Sequence, residues 1–291
     1  MPFLVACLGI ATFAGMDALM KELAIALGAY NAMLWRTGIA LLIATLLFLG
    51  RRTAWPPLDI IKVHVWRGLV TSVMAFLFFW GLVYVPIAEA IALTFIAPLI
   101  ALYLAAWLLG ERVGPQSVLA SCIGFLGGLV ILSGKLAGSY DSQVWLGITA
   151  ILCSAVLYAY NLILQRRQAL IANPVEIALF QNITVVSVYS LLAPFFAVIP
   201  TTELAGELIA AAALGLVSMM MLSWAYARAE AKVLIPVEYT AFAWAAVLGY
   251  LMFDETVTWP TLLGTTLIVT GCLMAAYSDR REPEHVETTA L

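Results

Sequence analysis

Long apolar runs separated by short polar connections follow one another from the start of this chain to about residue 278. A helix needs about 20 predominantly apolar residues to cross the hydrocarbon core of a bilayer, with about 17–25 tolerated. The pattern therefore predicts an all-α membrane protein with ten transmembrane helices. Their predicted spans are residues 3–20, 29–49, 65–85, 87–109, 116–134, 145–164, 177–199, 208–227, 233–252 and 259–277.

Composition agrees with a lipid environment. Of 291 residues, 64% are hydrophobic and 11% are charged, whereas soluble domains average about 45–50% and about 25%. The connections are too short for a soluble catalytic domain, and we read the first apolar run as a retained helix. Only the tail, residues 279–291, is polar enough to predict a disordered cytoplasmic segment.

The positions of Lys and Arg predict the orientation of the helices. With ten spans, the termini and the even-to-odd connections share one side of the membrane. That side holds eleven basic residues: Arg51, Arg52, Lys62, Arg67, Arg112, Arg166, Arg167, Arg228, Lys232, Arg280 and Arg281. The other side holds only Lys21 and Lys135. By the positive-inside rule, both termini are expected in the cytoplasm.

The two halves of the chain are related by an internal repeat. A shift of 144 residues, the distance from Ala97 to Ala241, also superposes Glu111 on Glu255. We therefore predict one repeat at residues 1–137 and a second at residues 145–278. Each repeat holds five helices, an odd number, so the second enters the membrane inverted. Inverted repeats are characteristic of secondary transporters, whose substrate site lies near the midplane between the halves.

Three stretches resemble the EamA type of the drug/metabolite transporter superfamily. They are Ala90 to Gln116 (AIALTFIAPLIALYLAAWLLGERVGPQ), its repeat partner Ala231 to Pro260, and Trp35 to Gly38 (WRTG). In that family a helix-4 proline, here Pro98, precedes a small-residue helix that ends in Gly-Glu. The second half departs from this pattern, with Asp254 before Glu255.

The resemblance implies secondary transport by alternating access through a central cavity between the repeats. The aromatic-rich interior is similar to that of exporters of aromatic and neutral amino acids in the bacterial inner membrane. Other members take up cofactors or nucleotide-like compounds, so an importer or exchanger of another metabolite is the alternative. An intramembrane enzyme and a lipid-binding scaffold are further alternatives, and the chain lacks the HExxH and GxxxxGK[ST] motifs.

Ionisable side chains within a span are expensive and are therefore candidates for function. Asp17 and Arg36 should lie at the same depth in helices 1 and 2, where we expect that they can pair. Lys21, one turn from Asp17, is a competing partner. Two interpretations stay open for Asp17: a structural ion pair that joins two helices, or a site for a substrate amine or a coupling proton. Arg36 is assigned a gating or structural role.

A polar stripe runs along one face of helix 6. Ser154, Tyr158, Asn161 and Gln165 follow the spacing i, i+4, i+7, i+11. Such a stripe faces protein or a water-filled cavity, and hydrogen bonding between helices and lining of the substrate cavity both remain open. Tyr158 and Asn161 are the candidates for the cavity.

Aromatic side chains supply further candidates. Trp80, Trp224 and Phe242 lie nearer mid-span than most and are expected to wall an apolar pocket, although lipid-facing positions are the alternative. Tyr84 and Tyr239 complete the predicted cavity. Pro98 and Glu238 are assigned to gating; for Glu238, an ion pair with Lys232 or Arg228 is favoured. A His-based metal site in the membrane is not expected, because His64 and His285 lie outside the apolar runs. Neither a cofactor nor a nucleic-acid partner is expected.

Small residues predict close packing of helices 5 and 10. Gly124 and Gly128 are four residues apart in helix 5, and Gly264 and Gly271 mark one face of helix 10. These helices are interpreted as scaffold, and the contact lies either within a monomer or between the subunits of a homodimer.

Overall fold

A computed structural model describes residues 2–52, 55–97, 99–100, 103–104, 115–136, 142–228 and 240–278. Every regular element in these residues is helical. The α-helices are α1 (Pro2–Leu27), α2 (Ala29–Gly50), α3 (Leu58–Leu82), α4 (Ile87–Thr94), α5 (Pro115–Leu136), α6 (Ser142–Ile171), α7 (Pro174–Phe196), α8 (Ala205–Tyr226), α9 (Thr240–Phe253) and α10 (Trp259–Ser278). A 3-10 turn, Thr202–Leu204, precedes α8.

Among the described residues, six segments are long and apolar enough to cross a membrane: Pro2–Leu27, Ala29–Gly50, Leu58–Leu82, Ser142–Ile171, Pro174–Phe196 and Thr202–Tyr226. The predicted spans 116–134 and 259–277 lie within α5 and α10, whereas the spans 87–109 and 233–252 overlap α4 and α9 and extend into residues outside the described part of the chain. The described residues thus show a multi-pass helical membrane protein.

Local sequence signals explain where the helices begin and end. Gly28 has a φ of 78°, a left-handed conformation that glycine adopts without strain, and it separates α1 from α2. Pro174 opens α7, where its missing N–H costs nothing. The Asn173 side chain caps this helix by accepting hydrogen bonds from the backbone N–H groups of Val175 (3.1 Å) and Glu176 (3.0 Å).

Five contacting pairs include each helix once: α1 with α8, α3 with α6, α2 with α7, α4 with α9, and α5 with α10. One end of the bundle carries the α1–α2 turn and is called here the Gly28 end. The opposite end carries the α2–α3 connection and is called the Pro57 end. A core of buried apolar side chains contains residues from each of the helices α1 to α10.

Glycines allow the closest helix contacts. A Cβ on Gly127 would lie 2.5 Å from the Gly264 backbone oxygen, and a Cβ on Gly264 would lie 2.5 Å from that of Gly127. The contact between α5 and α10 is therefore formed within one chain. The glycine that makes it is Gly127 and not Gly128, where an added Cβ would meet nothing within 4 Å; Gly124 packs against Leu99.

Candidate functional site

At the Gly28 end, a buried ion pair links helices from both halves of the chain. The Lys21 ammonium of α1 pairs with the Glu255 carboxylate, just beyond α9, and donates a hydrogen bond to the Val85 backbone oxygen (3.0 Å). The second Glu255 oxygen accepts from the backbone N–H of Ile87 at the start of α4 (2.8 Å). Lys21 also lies over the Phe253 ring. We call Lys21, Glu255, Val85 and Ile87 the Lys21 interlock.

The expectation that Lys21 competes with Arg36 for Asp17 is therefore wrong. Lys21 extends from α1 toward the α3–α4 turn and the end of α9. The i, i+4 spacing on one helix predicted a local partner, but a carboxylate from the second half of the chain is closer. Lys21 and Glu255 side chains are 5% and 17% exposed, so both charges are largely removed from solvent.

Asp17 lies one turn deeper on α1 and is 1% exposed. Among the described residues, neither of its carboxylate oxygens has a hydrogen-bond partner. Carboxylates buried in this way are rare unless they are paired or bind a ligand. The candidate role of Asp17 as a site for a cation therefore remains a proposal that its surroundings favour.

Arg36 of α2 is turned toward α1 and α8. Its two terminal nitrogens lie 3.7 Å from the thioether sulfurs of Met16 and Met33, which are weak acceptors. Its buried Nε atom has no hydrogen-bond partner among the described residues. A Cβ on Gly215 of α8 would lie 3.0 Å from one terminal nitrogen, so the glycine leaves room for the guanidinium.

The expected ion pair between Asp17 and Arg36 is not formed in the described part of the chain. The two charges act on each other electrostatically, yet no hydrogen bond or ion pair joins them there. Asp17 and Arg36 are near enough to interact, which agrees with the prediction that they lie at the same depth. The pair does not form because the Arg36 guanidinium is directed toward the sulfur atoms of Met16 and Met33.

Toward the Pro57 end, the polar stripe of α6 faces a buried arginine. Arg67 of α3 donates from Nε to the Asn161 side-chain oxygen (3.1 Å), from one terminal nitrogen to Gln168, and from the other to Gln165 (3.2 Å). Thr71 also donates to Asn161 (3.3 Å). Asn161, proposed for the cavity, is 3% exposed and bonds across helices. This group of five residues is called the Arg67 network.

A histidine extends the Arg67 network to a carboxylate. Because the Gln168 amide oxygen accepts from Arg67, its NH₂ group donates to His64 Nδ1 (2.5 Å). His64 Nε2 then carries the hydrogen that is donated to Glu176 (3.0 Å). The imidazole also stacks on Phe180, with centroids 5.0 Å apart.

Sequence reasoning missed the membership of His64 and Arg67 in this network. The predicted span of helix 3 begins after His64, and the distribution of basic residues assigns Arg67 to the cytoplasmic side. In the structure both lie in α3 and are at most 5% exposed. The signal was the spacing of His64, Arg67 and Thr71, which puts them on one face of a helix. That face meets the complementary face of α6.

The aromatic candidates lie at several depths. Trp80, near the end of α3, and Tyr84, in the turn that follows α3, form an edge-to-face pair with centroids 5.2 Å apart near the Gly28 end. Phe242 packs on the main apolar core. Trp224 is not at mid-span as predicted: it lies in the last turn of α8, where the Arg228 guanidinium covers its ring at 4.3 Å.

Other candidates are only partly defined. Tyr158 interacts electrostatically with Arg67 and is half-buried. Pro98, Glu238 and Tyr239 lie outside the described residues. Within the described part of the chain, no cluster of three or more His, Cys, Asp or Glu side chains has the arrangement to hold a metal ion.

Comparison with known proteins covers the whole length of the chain. Residues 1–133 and 145–277 each match the family described as the EamA-like transporter family. A pseudopaline exporter of Pseudomonas aeruginosa is 26% identical over 93% of this chain and 94% of its own length. A riboflavin transporter of Rhizobium johnstonii is 30% identical over 86% and 82%, respectively. A solved crystal structure superposes with a TM-score of 0.66 at 21% identity, covering 99% of both chains.

Proposed function

This chain belongs to the EamA-like transporter family, and we propose that it exports neutral or aromatic amino acids, or closely related metabolites, across the bacterial inner membrane. It is a membrane transporter and not an enzyme. The relatives named above differ in the cargo that their names give, so the substrate is argued from the chemistry of the interior. The observation that carries the proposal is Asp17, a carboxylate in the middle of a membrane helix with no partner among the described residues.

The ammonium group of a substrate would be the positively charged partner that Asp17 lacks among the described residues. Charged hydrogen bonds to carboxylates are strong, and their strength increases in a site from which water is excluded. The half-buried rings of Trp80 and Phe242 provide apolar surface in the same bundle for the side chain of a neutral or aromatic amino acid. Tyr84, Tyr158, Trp224 and Tyr239 complete the cavity in this proposal, with Trp224 and Arg228 toward its Pro57 end.

Transport by alternating access needs two halves that can rock against each other. The proposed halves are residues 1–137 and 145–278, and the two family matches begin the same 144 residues apart as the sequence repeat. Exchanging helices 1–5 with helices 6–10 in order turns the α1–α8 contact into the α6–α3 contact and leaves the other three pairs unchanged. These features support an inverted repeat of five plus five helices. The distribution of Lys and Arg adds both termini in the cytoplasm to the proposal, and Pro98 and Glu238 keep their proposed gating or structural role.

The proposal is tested by transport into proteoliposomes. Purified protein is reconstituted, and counterflow of radiolabelled leucine, phenylalanine and tryptophan is measured for the wild type and for Asp17→Asn. We expect the wild type to exchange at least one of these amino acids and Asp17→Asn to lose about 10- to 100-fold in exchange rate, because an ionic hydrogen bond becomes a neutral one.

Asp59→Asn is the matched control, since Asp59 is an exposed carboxylate that pairs with Lys62 on the surface. It should exchange at the wild-type rate. Exchange of riboflavin or a nucleotide-like compound instead of amino acids would show that the alternative cargo is correct. An Asp17→Asn variant with full activity would remove the assigned amine site.

A further inference from the structure

The Asp17 carboxyl group of α1 and the Arg36 guanidinium of α2 interact electrostatically without pairing in the described part of the chain. Asp17 is buried with both oxygens unsatisfied there, and Arg36 has a buried Nε without a partner. In a medium of low dielectric constant, the attraction between such charges is much larger than in water. An arrangement that keeps them apart is therefore costly unless a third group completes it.

The contacts of Arg36 show that its nitrogens are held loosely. Thioether sulfurs are weak acceptors, and methionine side chains rearrange at little cost. Met16 and Met33 thus occupy the positions on the guanidinium, each 3.7 Å away, that a carboxylate would fill with two strong hydrogen bonds. Arg36 as a whole is half-buried, so the protein does not enclose it completely.

We propose that Arg36 binds the carboxylate of a zwitterionic substrate whose ammonium group is bound by Asp17. The inference rests on the proposed transport function and names the charge pattern of its cargo. A molecule that carries both charges close together bridges the two side chains and lets each be fully paired. It also enters the membrane interior with no net charge, whereas a simple amine or a simple acid would leave one protein charge unsatisfied.

Indole compounds that differ only in charge provide the test. L-Tryptophan carries both groups, tryptamine lacks the carboxylate, and indole-3-propionate lacks the ammonium. Glycine betaine is a zwitterion without an amino-acid N–H. Competition for exchange and thermal stabilisation of the detergent-solubilised protein are measured for each compound.

We expect the wild type to prefer tryptophan over either singly charged analogue by about 10- to 100-fold, the range for one ionic contact. Arg36→Met should lose the preference over tryptamine, while its affinity for tryptamine stays within about threefold of the wild type. Asp17→Asn should lose the preference over indole-3-propionate. Arg36→Lys keeps the charge and should restore part of the selectivity.

Folding does not confuse this test. A methionine in place of Arg36 fits between two other methionines, and the described part of the chain holds no ion pair of Arg36 that the change would break. If Arg36 had only a structural role, Arg36→Met would change the thermal stability of the protein and leave its preference for tryptophan over tryptamine unchanged. The proposed role predicts that the preference is lost and the stability is retained.

Gly215→Ala moves the guanidinium without removing it. Its Cβ would lie 3.0 Å from an Arg36 terminal nitrogen, so we expect tryptophan binding to weaken about tenfold, as for a strained ionic hydrogen bond. Gly15→Ala is the control in the same α1–α8 contact, because its Cβ would make only an ordinary 3.6 Å contact with Leu214.

The possible outcomes separate the inference from the function on which it rests. If amino acids are exchanged and Arg36→Met keeps the preference for tryptophan over tryptamine, the inference is overturned and amino-acid transport stands. If glycine betaine binds with the same dependence on both residues while amino acids do not, the zwitterion site stands and the amino-acid proposal fails. If no zwitterion binds, both are overturned.

Discussion

Two arginines within the helices meet the cost of burial in different ways. Arg67 is surrounded by the amide oxygens of Asn161, Gln165 and Gln168, which satisfy its donors without an adjacent carboxylate. Arg36 is surrounded by sulfur and has a buried nitrogen left over among the described residues. Residues with the same side chain therefore have opposite expected roles: Arg67 stabilises the fold, and Arg36 is available to a substrate.

Replacing Arg67 by methionine should destabilise the protein by about 3 kcal/mol. The change leaves amide oxygens on α6 without their donor, and each buried unsatisfied group costs about 1–3 kcal/mol. The free energy of unfolding is measured by titration with SDS in mixed micelles. Arg228→Met is the control, since Arg228 is exposed; equal loss for both variants would contradict the assignment.

At the scale of elements, glycine position decides which helices touch. In α5, Gly127 and Gly128 are neighbours in sequence but lie on different faces of the helix. Gly127 meets the backbone of α10 at Gly264, while the space around Gly128 is open. Successive residues of a helix are about 100° apart, because the helix has about 3.6 residues per turn. One residue of register is therefore enough to separate a packing position from a free one.

Gly127→Ala should destabilise the protein, whereas Gly128→Ala should not. The Gly127 Cβ would lie 2.5 Å from a backbone oxygen that cannot move alone, and overpacking of this kind costs about 1–3 kcal/mol. Gly128→Ala should be neutral or stabilising by up to about 1 kcal/mol, as alanine favours helix over glycine. Thermal unfolding of the two variants checks this; equal melting temperatures would show that α5 and α10 are not in close contact.

At the scale of the whole molecule, the Lys21 interlock joins the two halves of the chain at the Gly28 end. Lys21, Val85 and Ile87 come from the first half, and Glu255 comes from the second. The sequence repeat identified Glu255 as the counterpart of Glu111. Its partner was not evident, since the two ionic groups are separated by most of the chain.

Glu255→Gln should lower the free energy of unfolding by about 3 kcal/mol, because it leaves the buried Lys21 ammonium without this carboxylate. Asp59→Asn removes a surface ion pair whose side chains are 77% and 92% exposed, and it should cost at most about 1 kcal/mol. Titration with SDS compares the two. A Lys21→Met, Glu255→Gln double variant should lose less than the sum of the single variants, since both act on one contact.

Much of the architecture was predictable from the order of residues. Apolar runs indicated the positions of the helices, and the motifs around Glu111 and Glu255 indicated the resemblance to a family that the comparisons confirm. The stripe containing Asn161 was correctly expected to face protein or water. These features depend on local periodicity and hydropathy, which a linear pattern records directly.

The partners of the polar side chains were decided only in three dimensions. From the sequence, Arg36 was the expected partner of Asp17 and Lys21 a competing one, yet Lys21 pairs with Glu255 and Arg36 lies against methionine sulfur. Hydropathy predicts which segments enter the membrane, because all of them enter the same apolar hydrocarbon core. It does not decide which helix face meets which, since that depends on packing between segments distant in the chain. The unpaired state of Asp17 among the described residues therefore became visible only in the folded protein.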